Sequence, residues 1–162
     1  MNSFDGEVRR GKTYCLRLLS LRARREKEID DRLKGKGYGE GARKSILDSL
    51  RQDGLVDDES FAGDWIDSRL RTNPRSRSAL KAELKKKGIS ERIIDKVLSE
   101  KNKELDDMSL AGDMVRIMIA ETGQGPVKNL KGKLYQYLLR RGFDGETALE
   151  AVNKELGDDD NE

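Results

Sequence analysis

The chain has 162 residues, 40% of them charged, yet its formal net charge is only +2. One cysteine excludes an intramolecular disulfide framework, and the absence of histidine excludes His-based metal sites and Ser-His or Cys-His nucleophile pairs. Charge at this density, against about a quarter in typical globular domains, turns much of each element toward water and favours a thin, surface-rich series of small modules over one compact ball.

Residues 1–11 carry two glycines and mixed charge, and are expected to form a mobile lead-in. Helical periodicity begins near Lys12, with Tyr14, Cys15, Leu18, Leu19 and Leu21 on one apolar face and Cys15 expected as a buried, structural thiol. A second helix follows Arg22, Arg24 and Arg25, uses Ile29 and Leu33, and ends at Gly35 and Gly37; a third runs from about Glu40 to Gln52 with Ala42, Ile46 and Leu50 inward. After Gly54, Asp57 or Asp58 is placed to cap a helix whose apolar face holds Phe61, Trp65, Ile66 and Leu70. Asn73-Pro74 predicts the next helix start, Leu80 and Leu84 its core face, and Gly88 its end. Ser90 caps a sixth helix bearing Ile93, Ile94, Val97 and Leu98. From Asp106 the plan recurs with Leu110, Met114, Val115, Ile117 and Met118, a break at Gly123 and Gly125, a start at Pro126, then Leu134, Leu138, Gly142 and Phe143. Ala148, Leu149, Val152 and Leu156 form the last apolar face before an acidic tail.

The repetition can be counted. Leu or Ile, three residues, Leu, three residues, Gly and an apolar residue occurs as Ile29/Leu33/Gly37/Tyr38, Leu80/Leu84/Gly88/Ile89 and Leu134/Leu138/Gly142/Phe143. The expected organisation is all-α: a lead-in at 1–11, three-helix repeats at 12–54, 55–104 and 105–156, and a tail at 157–162. Units this small bury little alone and must pack on their neighbours.

Between Arg69 and Lys87 eight cations, Arg69, Arg71, Arg75, Arg77, Lys81, Lys85, Lys86 and Lys87, face the single acid Glu83. Arg77, Lys81 and Lys85 share a helical face away from Leu80 and Leu84. Such a run tracks phosphates, meets an acidic protein surface, or is merely solvated. Arg22, Arg24 and Arg25 in the first repeat and Arg140 and Arg141 in the third extend it toward a discontinuous stripe. Trp65 and Tyr14 read as core residues rather than base-stacking platforms. The acid pairs Asp30/Asp31, Asp57/Asp58 and Asp106/Asp107 read as caps and solvated positions rather than metal ligands. No phosphate-binding loop, dinucleotide fingerprint or nucleophile elbow is present, and no apolar run approaches the ~18 residues of a membrane span. The expectation is a cytoplasmic, non-enzymatic protein without cofactor or metal.

Gly54-Leu55-Val56-Asp57-Asp58, Phe61-Ala62, Trp65 and Arg69, with Leu16-Arg17-Leu18-Leu19-Ser20 before them and Leu84 to Ile89 after, resemble the RecX regulatory proteins. The resemblance implies three tandem three-helix repeats in an elongated, bent array. It also implies a monomeric regulator that binds the RecA nucleoprotein filament and modulates, mostly inhibiting, its recombinase and coprotease activity. The cations named above then face the filament, its single- or double-stranded DNA, or both. An autonomous nucleic-acid-binding module is the alternative reading.

Overall fold

The computed structural model describes residues 3–122 and 127–157. Among them are nine helices and no strand: α1 (Ser3–Leu21), α2 (Glu26–Gly35), α3 (Glu40–Gln52), α4 (Asp58–Thr72), α5 (Arg77–Lys86), α6 (Glu91–Glu100), α7 (Asp107–Thr122), α8 (Val127–Arg140) and α9 (Gly145–Leu156). Each consecutive trio encloses its own apolar cluster. Cys15, Ile29, Leu33, Ile46 and Leu50 centre the first, Ala62, Ile66, Leu80, Leu84 and Ile94 the second, and Ala111, Val115, Leu134, Leu138 and Val152 the third. The principal helix–helix contacts, α1 with α3, α4 with α6 and α7 with α9 among them, stay within a trio. The result is three small cores in series rather than one large one.

The repeated leucine–glycine pattern is a helix stop with a specific geometry. Gly37, Gly88 and Gly142 have φ of +87°, +83° and +90°, a left-handed conformation that side chains with a Cβ resist. Tyr38, Ile89 and Phe143 then donate their N–H to the carbonyls of Leu33, Leu84 and Leu138 at 3.1, 3.1 and 3.2 Å. This is the Schellman arrangement, in which the residue after the glycine also packs on the leucine it bonds. The leucine, the glycine and the following apolar residue are thus one device, repeated three times.

Several expectations shift. α1 starts at Ser3, not near Lys12, because Val8 packs on the first core and Gly11 lets α1 approach α3 where a Cβ would overlap Ile46. The fifth helix starts at Arg77 rather than at Pro74: Ser76 is the cap, its hydroxyl accepting from Ala79 N–H at 3.2 Å. Ile117 and Leu149 are exposed, since Met114, Val115 and Met118 on α7 and Ala148, Ala151 and Val152 on α9 take the inward face. Gly123, Gly125, Pro126 and all of the acidic tail after Gly157 lie outside the described residues. Cys15 is fully buried, and burial pushes its thiol up to about 11. Thiol titration at neutral pH is therefore expected to show no reaction in the native protein and one equivalent after denaturation; rapid native labelling would contradict the burial.

The acid pairs explain how the units join. Asp57 caps α4 itself, accepting from Ser60 N–H at 3.1 Å, and Asp106 does the same for Ser109 at 2.9 Å. The second acid of each pair reaches backward. Asp58 accepts from Glu26 N–H at 3.1 Å and Asp107 from Arg77 N–H at 2.9 Å, so each caps the second helix of the preceding unit. Beside these bonds, the residue before that helix docks on the glycine turn of the next unit. Arg25 donates to the Lys87 carbonyl; Ser76 donates its N–H to Arg141 O at 3.0 Å and its hydroxyl to Gly142 O at 2.6 Å. The remaining pair is ordinary, with Asp30 bound to Arg43 at 2.8 Å and Asp31 near Lys27 at 3.7 Å.

These carboxylates respond oppositely to acid. The Ser60 N–H and hydroxyl hold Asp57 below the usual range, so its contribution is present above its unfolded value and is lost as pH falls through the lowered one. Burial raises Asp58, which therefore favours the fold most when protonated, and that contribution declines as pH rises through the raised value. Asp57→Ala is expected to cost about 1 kcal/mol in urea melts at neutral pH, and the difference from wild type to shrink as pH falls below the usual carboxylate range.

Candidate functional site

The cleft where the first two units meet gathers the densest set of cations and aromatics. Trp65 and Arg69, one turn apart on α4, flank the inward Ala62 and Ile66; Glu83, Lys86 and Lys87 come from the end of α5, and Arg25 from across the joint. Together they line an open cavity of about 350 Å³. The Trp65 ring carries Lys87 Nζ at 4.0 Å and the Arg69 guanidinium at 4.7 Å from its centroid, and stacks on Phe61 at 6.2 Å with 19° between planes. Arg25 lies 5.6 Å over Phe61. Aromatic faces stabilise cations by roughly 0.5–2 kcal/mol each, which helps to hold these like charges close together.

Glu83 is the one acid in this group. It accepts from Trp65 Nε1 and Arg69 Nε, both at 2.9 Å, and Arg75 Nε lies 3.1 Å away without an aligned hydrogen bond. Trp65 is therefore half-buried: it packs on the second core, as its spacing predicts, and Glu83 tethers its indole N–H at the edge of the unit. Its indole N–H points outward to α5 because the smaller Ala62 and Ile66 fill the centre of the unit.

The other expected cations divide by environment. Arg22 and Arg24 both bind Glu28 at 2.5 Å, and Arg24 is nearly buried. Lys81 is held by Asp95 at 2.8 Å and Glu91 at 3.3 Å, and Arg77 by Asn102 at 2.8 Å. Arg141 lies 5.0 Å over Tyr137 and reaches the Pro74 carbonyl at 3.4 Å, at the second joint. Arg71, Lys85, Lys86 and Arg140 are exposed and make no ion pair among the described residues. Of the Arg77–Lys81–Lys85 face only Lys81 is neutralised by acids of its own unit, while Arg25, Arg69 and Lys86 converge with Lys87. The sequence places Lys87 among the partner-facing cations but does not show its seat on Trp65, although a lysine before the turn glycine and an aromatic on the preceding helix recur as Lys36 over Tyr14, at 5.3 Å. Among the described residues no cluster of three or more acids or thiols suits a metal, and no helix is long and apolar enough to cross a membrane.

Three serial three-helix units, capped across their joints and bearing a cation–aromatic cleft, define a helical-repeat protein. The profile of the first RecX three-helix domain matches residues 12–50 and that of the second matches 57–98. A regulatory protein RecX of Mycobacterium sp. (strain JLS) is 36% identical over 146 residues, covering 88% of this chain and 80% of the relative; one from Chlorobium phaeobacteroides (strain BS1) is 33% identical over 150 residues, covering 93% and 96%. The chain belongs to the RecX family of regulatory proteins. The crystal structure of RecX from Lactobacillus salivarius has the same fold, with a TM-score of 0.76 at 21% identity over 93% of this chain and 97% of that one.

Proposed function

We propose that this protein binds the RecA nucleoprotein filament and modulates, mostly inhibiting, its recombinase and coprotease activity, with no catalysis of its own. Membership of a family of regulatory proteins supports the role. The observation that carries the contact site is the cleft at the first joint, where Arg25, Arg69, Lys86 and Lys87 share one acid, Glu83, already bound to Trp65 and Arg69. A positive, aromatic-backed cleft fits an acidic protein surface or a phosphodiester strand lying in a filament groove. Arg71, Arg75 and Lys85 lie in the same unit; Arg22 and Arg24 are engaged first by Glu28, Arg141 by the second joint, and Arg140 is exposed. The protein acts as a cytoplasmic monomer on this reading.

The deciding experiment is RecA-dependent ATP hydrolysis and strand exchange with this protein well below one copy per RecA protomer. Inhibition at that ratio is expected, and unchanged rates would refute the proposal. Binding to DNA without RecA, tight at moderate salt and falling steeply as salt rises, would instead favour an autonomous nucleic-acid-binding module.

A further inference from the structure

Each joint in this chain is a socket and an insert. The socket is the glycine turn after the second helix of a unit, with its carbonyls turned outward, beside an acid on that unit's first helix. The insert is the start of the preceding unit's second helix, which supplies N–H groups. In the second unit the socket is Lys87, Gly88 and Asp58, filled by Arg25 and Glu26; in the third it is Arg141, Gly142 and Asp107, filled by Ser76 and Arg77. Both are occupied closely: a Cβ built on Gly88 would overlap the Lys27 side chain, and one on Gly142 would lie 2.5 Å from Ala79 Cβ and 2.8 Å from Ser76 Oγ.

Among the described residues the first unit carries the same socket with nothing in it. Gly37 has the matching φ of +87°, and a Cβ there would meet none of their atoms within 4 Å. Lys36 lies over Tyr14 as Lys87 lies over Trp65. Glu7 stands four residues before the inward Gly11, as Asp58 stands before Ala62 and Asp107 before Ala111. Glu7 Oε1 accepts from Gly39 N–H at 3.3 Å, and its second oxygen has no partner among the described residues.

We infer that the Glu7–Lys36–Gly37 face is a protein-docking site that takes the amino-terminal turn of a helix on another protein. The chain itself states the occupant, because it fills this surface twice, each time with a helix start whose first N–H meets a carboxylate while the residue before it donates to a turn carbonyl, from the Arg25 guanidinium in one joint and the Ser76 N–H in the other. A further copy does not supply the insert from its far end. α2 and α5 begin at Glu26 and Arg77, eleven residues before their turn glycines, whereas α8 begins at Val127, fifteen before Gly142, so in register the insert position there lies inside a continuing helix. The inference does not depend on RecA being the partner.

The test titrates the isotopically labelled full chain with a stapled, net-neutral helical peptide that begins on a serine cap and leaves the N–H of the residue after the cap free. Amide shifts are expected at Glu7, Lys36, Gly37 and Gly39, with affinity falling about tenfold for Glu7→Lys, since charge-assisted bonds to backbone N–H are lost. Glu7→Gln keeps an acceptor for Gly39, guards against misfolding, and should weaken binding less. Shifts elsewhere, no shifts, or equal shifts from a peptide with an N-methylated first turn would overturn the site. Sedimentation of the chain alone showing self-association that Glu7→Lys abolishes would assign the face to a second copy and overturn the occupant.

Discussion

Gly142→Ala is expected to separate the third unit from the second. The φ of +90° costs an alanine about 1–2 kcal/mol in itself, and its Cβ would press on Ala79 and the fully buried Ser76 hydroxyl, adding about 1–3 kcal/mol of overpacking. The first turn of α5 then loses protection as Ser76 N–H and Arg77 N–H part from Arg141 and Asp107. Gly37→Ala is the matched control, with a similar φ of +87° and open space around it, so it should lose the backbone share alone. Chemical denaturation and hydrogen exchange of the pair measure the joint directly. Equal losses in the two variants would show that the contact at Gly142 contributes nothing to stability.

Charge reversal in the first cleft carries the largest expected functional effect. Lys86→Glu with Lys87→Glu places two acids beside Glu83 and takes the ammonium off the Trp65 ring, and inhibition of strand exchange should weaken at least about tenfold. Lys81→Glu is the informative contrast. Lys81 already pairs with Asp95 and Glu91 on α6, so its reversal sets three acids together and should lower the melting temperature of the second unit more than it lowers inhibition. Full potency in the cleft variant would move the partner contact away from the first joint.

Much of this architecture was legible because it depends on local backbone chemistry. Glycine at a left-handed helix stop has few substitutes, and the leucine and apolar residue that complete the stop lie within six residues of one another. α3 runs over Glu40–Gln52 as its periodicity predicts, and Ser90 caps α6. What could not be read depends on distant partners. Pro74 looked like the better helix start because nothing near Ser76 reveals that Arg141 and Gly142 will close over it. Trp65 packs on the core face that its periodicity predicts, but periodicity does not show how deeply a side chain on the edge of that face sinks. The cations of Arg77–Lys87 formed one stripe in sequence and separated in space once α6 brought Asp95 and Glu91 to Lys81.

The backward-reaching caps also set an order of events during synthesis. The start of α2 waits for Asp58, 32 residues downstream of Glu26, and the start of α5 for Asp107, 30 residues downstream of Arg77. At roughly 5–20 residues per second the ribosome delivers each missing carboxylate a few seconds after the helix it completes. A nascent chain therefore always ends in one unfinished unit, and a premature stop after the second unit leaves Ser76 and the α5 terminus open to proteases and chaperones. Each helix start that a joint serves is thus closed only once the following unit has been made.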